Sequence, residues 1–316
     1  MVLFLLLGGC FAASFGSYVC NKKNSNVFTG EVKRGIYFLI VAVWACFFFW
    51  MINGFSISVN RITWLYALAF SVVCFLSSLV NLIIYHFAKI PTVSVVNSTL
   101  SLITTSLLGT LLFSEKIGWS TVLRIVLLVC ASLLLYRAAT VNEKKEQAAP
   151  TDGPASDGAK KPYGIGRKLC FVLLMAVLIG VSCSSTLLTK SFSVRDDVSD
   201  VNSYYFATNV FLFGGGIVWL LVASRARFGQ FCDGLTGFRP VYLLFIVLAT
   251  LCGNISSLLT IPLLDRLEVA SYSAYTSAIG ITASAVASLV YREKQNVWSV
   301  SAILLAVVSF LLGAFL

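Results

Sequence analysis

The chain has 316 residues, 58% of them hydrophobic and only 11% charged, with a formal net charge of +10. An average soluble domain carries roughly 25% charged residues, because water must solvate its surface; a water-soluble fold is excluded, and a bilayer is the solvent that fits. The excess of base does not point to nucleic acid, because the basic residues fall in loops and at the ends of apolar runs, where the positive-inside rule expects them.

A spanning helix needs about 20 mostly apolar residues, with its backbone hydrogen-bonded within the segment. Ten such runs follow one another, at 2–19, 36–52, 62–85, 91–113, 119–136, 169–189, 203–222, 241–264, 270–291 and 297–316. The first contains Leu7-Gly8-Gly9-Cys10, a spacing that brushes against a lipoprotein cleavage site, but no basic residue precedes it, so it reads as a first span and not as a leader. Five residues, Ser114 to Gly118, separate the fourth and fifth runs and force them antiparallel. Trp50, Trp64, Trp119 and Trp298 fall near run ends, as an interfacial belt requires. A membrane β-barrel would show segments of about ten residues with alternating polarity, and these solid runs exclude it.

One segment differs in kind. Residues 138–167 hold four lysines, several acids, Pro150 and Pro154, and read as a solvated linker. It separates a first half, 1–137, from a second, 168–316, with five runs each. Sliding the halves by 178 residues places Glu115-Lys116 on Glu293-Lys294, Thr104 on Thr282, Ser106 on Ser284, Cys74 on Cys252 and Ser78 on Ser256. At 179 residues Trp119-Ser120 meets Trp298-Ser299, a one-residue difference in the loop. An odd number of spans per half makes the second copy insert upside down. The expected fold is therefore an all-α integral membrane protein of ten transmembrane helices in two inverted five-helix repeats, a plan used by secondary transporters that hold substrate where the repeats meet.

The order apolar helix, Phe113-Ser114-Glu115-Lys116-Ile117-Gly118-Trp119, short apolar helix, repeated around Tyr291-Arg292-Glu293-Lys294, resembles the drug/metabolite transporter superfamily, in its EamA-like ten-span branch. The small-residue run Tyr275 to Gly280 resembles that family's ninth span. The resemblance implies an alternating-access carrier, with spans one, three, four, six, eight and nine around a central cavity and spans five and ten at the periphery. It also implies termini in the cytoplasm. The charge count points the other way: 17 of the 23 basic residues lie in the loops that follow odd-numbered runs, which puts the linker in the cytoplasm and both termini outside.

Ionisable groups are nearly absent from the runs. Arg124 lies about a turn inside the fifth and can snorkel, and Lys190 closes the sixth, where the resemblance implies cavity lining. Family members that exchange protons for cationic drugs use a first-span carboxylate, and this first run has none. Polar groups cluster instead as neutral side chains: Ser78 and Asn81, Asn97, Ser185, Asn254 and Ser256, and Tyr275. Amides and phenols need partners in lipid and can turn toward a ligand. At offset 178 Asn97 coincides with Tyr275, so one pseudo-symmetric position presents a polar group from each half. With Lys190, these are the expected substrate-binding residues. The single histidine, His86, and the lack of Cys-x-x-Cys or paired carboxylates lead us to expect no catalysis, no metal and no cofactor. No phosphate-cradling Gly-x-x-x-x-Gly-Lys motif points to ATP. The sequence reading is thus a secondary carrier for a small polar or amphipathic metabolite in a plasma or inner membrane, with lipid around it and a proton or other ion as possible coupling partner. A flippase for lipid-linked substrates and a non-transporting membrane subunit remain as alternatives.

Overall fold

The structure, a computed structural model, describes residues 2–25, 30–84, 90–148, 165–224, 229, 240–290 and 296–315. Among the described residues the chain forms ten long helices and no strands: α1 Val2–Ser25, α2 Glu31–Ile52, α3 Arg61–Ile84, α4 Ile90–Phe113, α5 Trp119–Ala148, α6 Ile165–Ser193, α7 Val201–Ala223, α8 Pro240–Arg266, α9 Val269–Val290 and α10 Val297–Phe315. Each follows an apolar run. The main difference is at α5, which continues to Ala148 through eleven residues expected to be linker. Glu143, Lys144, Lys145, Glu146 and Gln147 are good helix formers and no proline interrupts them, so the helix persists after apolarity has ended. Pro150 and Pro154 lie outside the described residues, as do Glu293 and Lys294.

Five helices carry segments long and apolar enough to cross a membrane: Glu31–Ile52, Trp119–Ala138, Leu169–Ser193, Val201–Ala223 and Val241–Arg266. Shorter apolar helices occupy Leu5–Cys20, Arg61–Ser77, Thr99–Phe113 and Val297–Leu312. Large apolar side chains point outward all around the bundle, among them Leu65, Leu107, Leu111, Leu133, Leu173, Val218, Leu244 and Leu304. A soluble monomer does not leave such a surface to water, and the protein is membrane-embedded. The first helix packs inside the bundle, with Leu7 and Cys10 buried against α8 and α9.

Contacts sort the helix ends onto two faces. On one, the loop face, the α2–α3 and α6–α7 connections are knitted together: the Asn60 amide donates to Ser199 Oγ at 2.8 Å, Asn60 Nδ2 to the Asp197 carbonyl at 2.7 Å, and the Ser199 amide to Thr63 Oγ1 at 2.8 Å. Asp200 caps α7 by accepting from the Ser203 amide at 2.9 Å. In the same loop Arg195 forks onto Asp197 with two bonds of 2.7 Å, and these hold the Asp197 carboxyl below its usual range. The end of α6 also reaches the α4–α5 loop and the α8–α9 joint. The opposite, linker face joins α7 to α2, where Trp219 Nε1 donates to the Glu31 carbonyl at 3.3 Å, and α5 to α10, where Asn296 Nδ2 donates to the Ala138 carbonyl at 3.0 Å.

The helices pack as α2 on α7, α1 on α8, α5 on α10, α3 on α6 and α7, α4 on α5, α6 and α9, α9 on α1 and α10, and α2 on α8. The largest core cluster lies toward the loop face, where the Phe192 and Tyr204 rings stack at 4.2 Å and Phe49 and Tyr205 at 5.3 Å. The α2–α7 pair is drawn close by two glycines: a Cβ on Gly35 would meet Leu220 Cγ at 2.8 Å, and one on Gly216 would meet Leu39 Cδ2 at 2.8 Å. In lipid, close helix approach of this kind substitutes for the hydrophobic effect. Gly35→Leu is expected to destabilise the bundle by about 1–3 kcal/mol through overpacking, read as a lowered melting temperature of the detergent-purified protein; an unchanged midpoint would contradict this packing.

Candidate substrate cavity

Between α1, α4, α5, α6 and α9 lies a cavity of about 350 Å³. Helix periodicity builds its walls. On α4, Asn97, Ser101 and Thr105 stand four residues apart and form one stripe; on α9, Ser273, Thr276, Ser277 and Gly280 follow the spacing of three and four that shares a face. Helix α6 adds Ser182 and Thr186, α5 adds Ser132 and Leu135, α1 adds Tyr18, and Leu102 and Ile281 supply apolar wall. The cavity runs from Thr186, about two turns inside the loop-face end of α6, and Ser273, about one turn inside the start of α9, toward Tyr18 and Asn97 on the linker side.

The seam between the halves is polar and neutral. Asn97 Nδ2 donates to Ser182 Oγ at 3.4 Å, and the Ser101 hydroxyl donates to the Asn97 carbonyl one turn back. Thr276 Oγ1 bonds the Tyr272 and Ser273 carbonyls, both at 3.1 Å. Hydroxyls bonded in this way to their own helix keep lone pairs free for a ligand's donors. Among the described lining residues none is charged.

The expected site residues divide. Asn97 lines the cavity. Tyr275, its partner at offset 178, does not: it is 2% exposed, its ring lies 4.6 Å under the Arg124 guanidinium, and Phe310 meets it edge-on at 5.9 Å. Thr276, one residue on, faces the cavity instead. The Ser185 hydroxyl donates to the Ser182 carbonyl at 2.8 Å, and the adjacent Thr186 points to the cavity. Asn254 is buried on α8, its Nδ2 without a hydrogen-bond partner among the described residues, and Ser256 is half-buried on the same helix; neither lines the cavity. The side chains of Ser78 and Asn81 lie outside the described residues. Lys190 sits beyond the cavity's inner end, where its Nζ donates to the Leu264 and Leu267 carbonyls and lies 3.6 Å from Glu115 Oε1.

Arg124 corrects the expectation that it snorkels. It is 4% exposed, and its Nη2 donates to Thr121 Oγ1 at 3.1 Å and Ser271 Oγ at 3.0 Å. The Tyr275 face and the two hydroxyls provide an inward environment that lipid cannot. Sequence reasoning missed Tyr18, Thr105, Ser132 and Ser273; helical phase alone, extended four residues on from Ser101 and three back from Thr276, would have found Thr105 and Ser273.

No family model matches the chain, and no curated protein matches it. Solved structures do match. One crystal structure, 11% identical, superposes with a TM-score of 0.66 over 98% of this chain and 96% of its own. That likeness is one of overall fold and runs nearly end to end.

A double-mutant cycle of Arg124→Met and Tyr275→Leu tests the structural role of Tyr275. A coupling of about 0.5–2 kcal/mol in thermal or denaturant unfolding is expected from a desolvated cation–π pair; additive effects would return Tyr275 to the ligand-binding candidates.

Proposed function

We propose that the chain is a secondary-active carrier, working by alternating access, with ten spans in two inverted five-helix repeats of the EamA-like kind. The observation that carries this reading is that one polar cavity is shared by both halves. Tyr18, Asn97, Ser101, Thr105 and Ser132 come from the first, and Ser182, Thr186, Ser273, Thr276 and Ser277 from the second. The packing adds support. Exchanging each helix for the one five places along maps α1–α8 onto α6–α3, α1–α9 onto α6–α4, α4–α5 onto α9–α10 and α2–α8 onto α7–α3, while α2–α7, α4–α9 and α5–α10 map onto themselves. A two-fold pseudo-symmetry of this kind gives alternating access a simple route, the two halves trading conformations. The match in fold covers both halves, and so is consistent with the two halves belonging to one folded bundle.

The cargo that suits the cavity is a small, uncharged or zwitterionic, hydrogen-bonding metabolite. Its volume falls at the lower end of ordinary ligand sites. An ion entering it would lose hydration without gaining an opposite charge from the described lining. Lipid surrounds the bundle in a plasma or inner membrane. A proton or other ion is the coupling partner we propose, and neither catalysis, a cofactor nor nucleic acid enters the reading. By charge distribution the linker face is cytoplasmic and both termini are outside. A C-terminal reporter fusion is expected to report a non-cytoplasmic location, and a cytoplasmic one would reverse the orientation.

Function is tested by uptake of a panel of neutral, zwitterionic and charged metabolites into proteoliposomes. Asn97→Ala is expected to lower uptake of the transported neutral solute about three- to tenfold, the scale of one lost hydrogen bond, without changing yield. Absence of any cavity-dependent uptake across the panel would overturn the carrier reading.

A further inference from the structure

At the inner end of the cavity, on the loop face, charge, backbone and packing from both halves converge on the first residue of α9. The chain leaves α4 at Phe113 and turns through Ser114, a non-glycine residue at φ 53° in the left-handed region. That conformation is uncommon and costly for a serine, and it persists only where surrounding contacts hold it. It brings Glu115 to the start of α9, a direct neighbour of α4. Glu115 Oε2 accepts from the Val269 amide at 2.6 Å, capping the start of α9, where a helix presents bare N–H groups and the positive end of its dipole.

The other carboxylate oxygen faces Lys190 at 3.6 Å, with the two side chains only 10% and 12% exposed. Lys190 in turn donates to the carbonyls of Leu264 and Leu267, the last turn of α8 and the residue after it. Two oppositely charged side chains thus bracket the joint between α8 and α9. The carboxylate holds the positive helix start, and the ammonium holds the negative helix end. Beneath them Gly109 of α4 touches Val269 so closely that a Cβ there would meet Val269 Cβ at 2.7 Å. Thr186 and Ser273, the innermost polar residues of the cavity, stand one turn from Lys190 and Val269.

We propose that Glu115 and Lys190 form a latch that holds the cavity shut at the loop face, and that the carrier opens to that side only when the pair parts and α9 gives up its cap. The inference rests on the carrier reading. Its content is specific: Glu115 is supplied by the first half and everything it holds by the second, so this contact must break if the halves separate here. Closure is bistable for electrostatic reasons. In a partly desolvated site the pair attracts strongly, and once parted each group needs water, which the opened vestibule supplies.

The test uses the full chain with Thr186→Cys as a reporter in the cavity, its labelling by a membrane-impermeant thiol reagent compared with that of the unsubstituted protein. Reagent is applied separately to each face of oriented vesicles. Glu115→Gln keeps an oxygen to accept from the Val269 amide but removes the charge, and Lys190→Met removes the other partner. With the latch intact, labelling from the loop face is expected to be slow, and either variant is expected to raise it about tenfold, the scale of a lost charge-assisted hydrogen bond. The rise is confined to that face. A rise from both faces together with a lowered melting temperature would show a general structural clamp and overturn the latch. Labelling from the linker face alone, unchanged by either substitution, would overturn the latch and leave the carrier reading standing. Labelling from neither face in any variant, with no uptake, would overturn both.

Discussion

Inside a hydrocarbon shell a polar group has no water to fall back on, and this single constraint organises the molecule. Backbone groups are satisfied by forming helices. Hydroxyls are satisfied locally, as when Thr208 bonds the Tyr204 carbonyl and Thr250 the Ile246 carbonyl, both one turn back on the same helix. Such bonds ask nothing of a neighbouring helix, so they add little to cohesion. What draws the helices together is close packing at small residues and rings. The polar groups left for contact between helices then gather in a few places, the seam around Asn97 and Ser182, the Thr121–Arg124–Ser271 cluster and the Glu115–Lys190 pair.

Charge meets the same constraint only in part: Lys190 finds acceptors, while Arg124 Nε and Nη1 are buried with no hydrogen-bond partner among the described residues. Arg124 and Lys190 are both buried near the loop face, yet they are stabilised by different means. Lys190 has a carboxylate and two carbonyls, compact acceptors for a compact cation. Arg124 has hydroxyls below and an aromatic face alongside, which suits a planar guanidinium that is weakly hydrated. Exchanging the two side chains would leave each without the geometry that holds it. The Phe192–Tyr204 and Phe49–Tyr205 stacks also lie in the loop-face half of the bundle, while the polar cavity lies deeper.

Much of this fold was legible in the sequence because hydropathy is a local property. Ten apolar runs became ten helices, and the short segment from Ser114 to Gly118 did join antiparallel neighbours. The helix ends were less legible. Residues 138–148 lack apolarity but not helix propensity, and the two signals separate there. Within the site, residue type pointed to Asn97, which lines the cavity, whereas Tyr275 was placed by matching letters between halves, and a one-residue shift turns a helical side chain by about 100°. That rotation is the difference between facing Arg124 and facing the cavity. Lys190 was read as a cavity-lining span end and Arg124 as a side chain that snorkels, because their partners, Leu264 and Ser271, are 74 and 147 residues away and no spacing rule connects them.

The joint between α8 and α9 consists of Leu267 and Glu268 alone. Two residues leave little slack, so any tilt of α9 about its capped end would be passed on to α8. Helix α8 lies along α1 and also touches α2 and α6. A motion that parted Glu115 from α9 would therefore be felt at α1, α2 and α6, with Pro262 inside α8 marking where a missing backbone bond lets that helix bend.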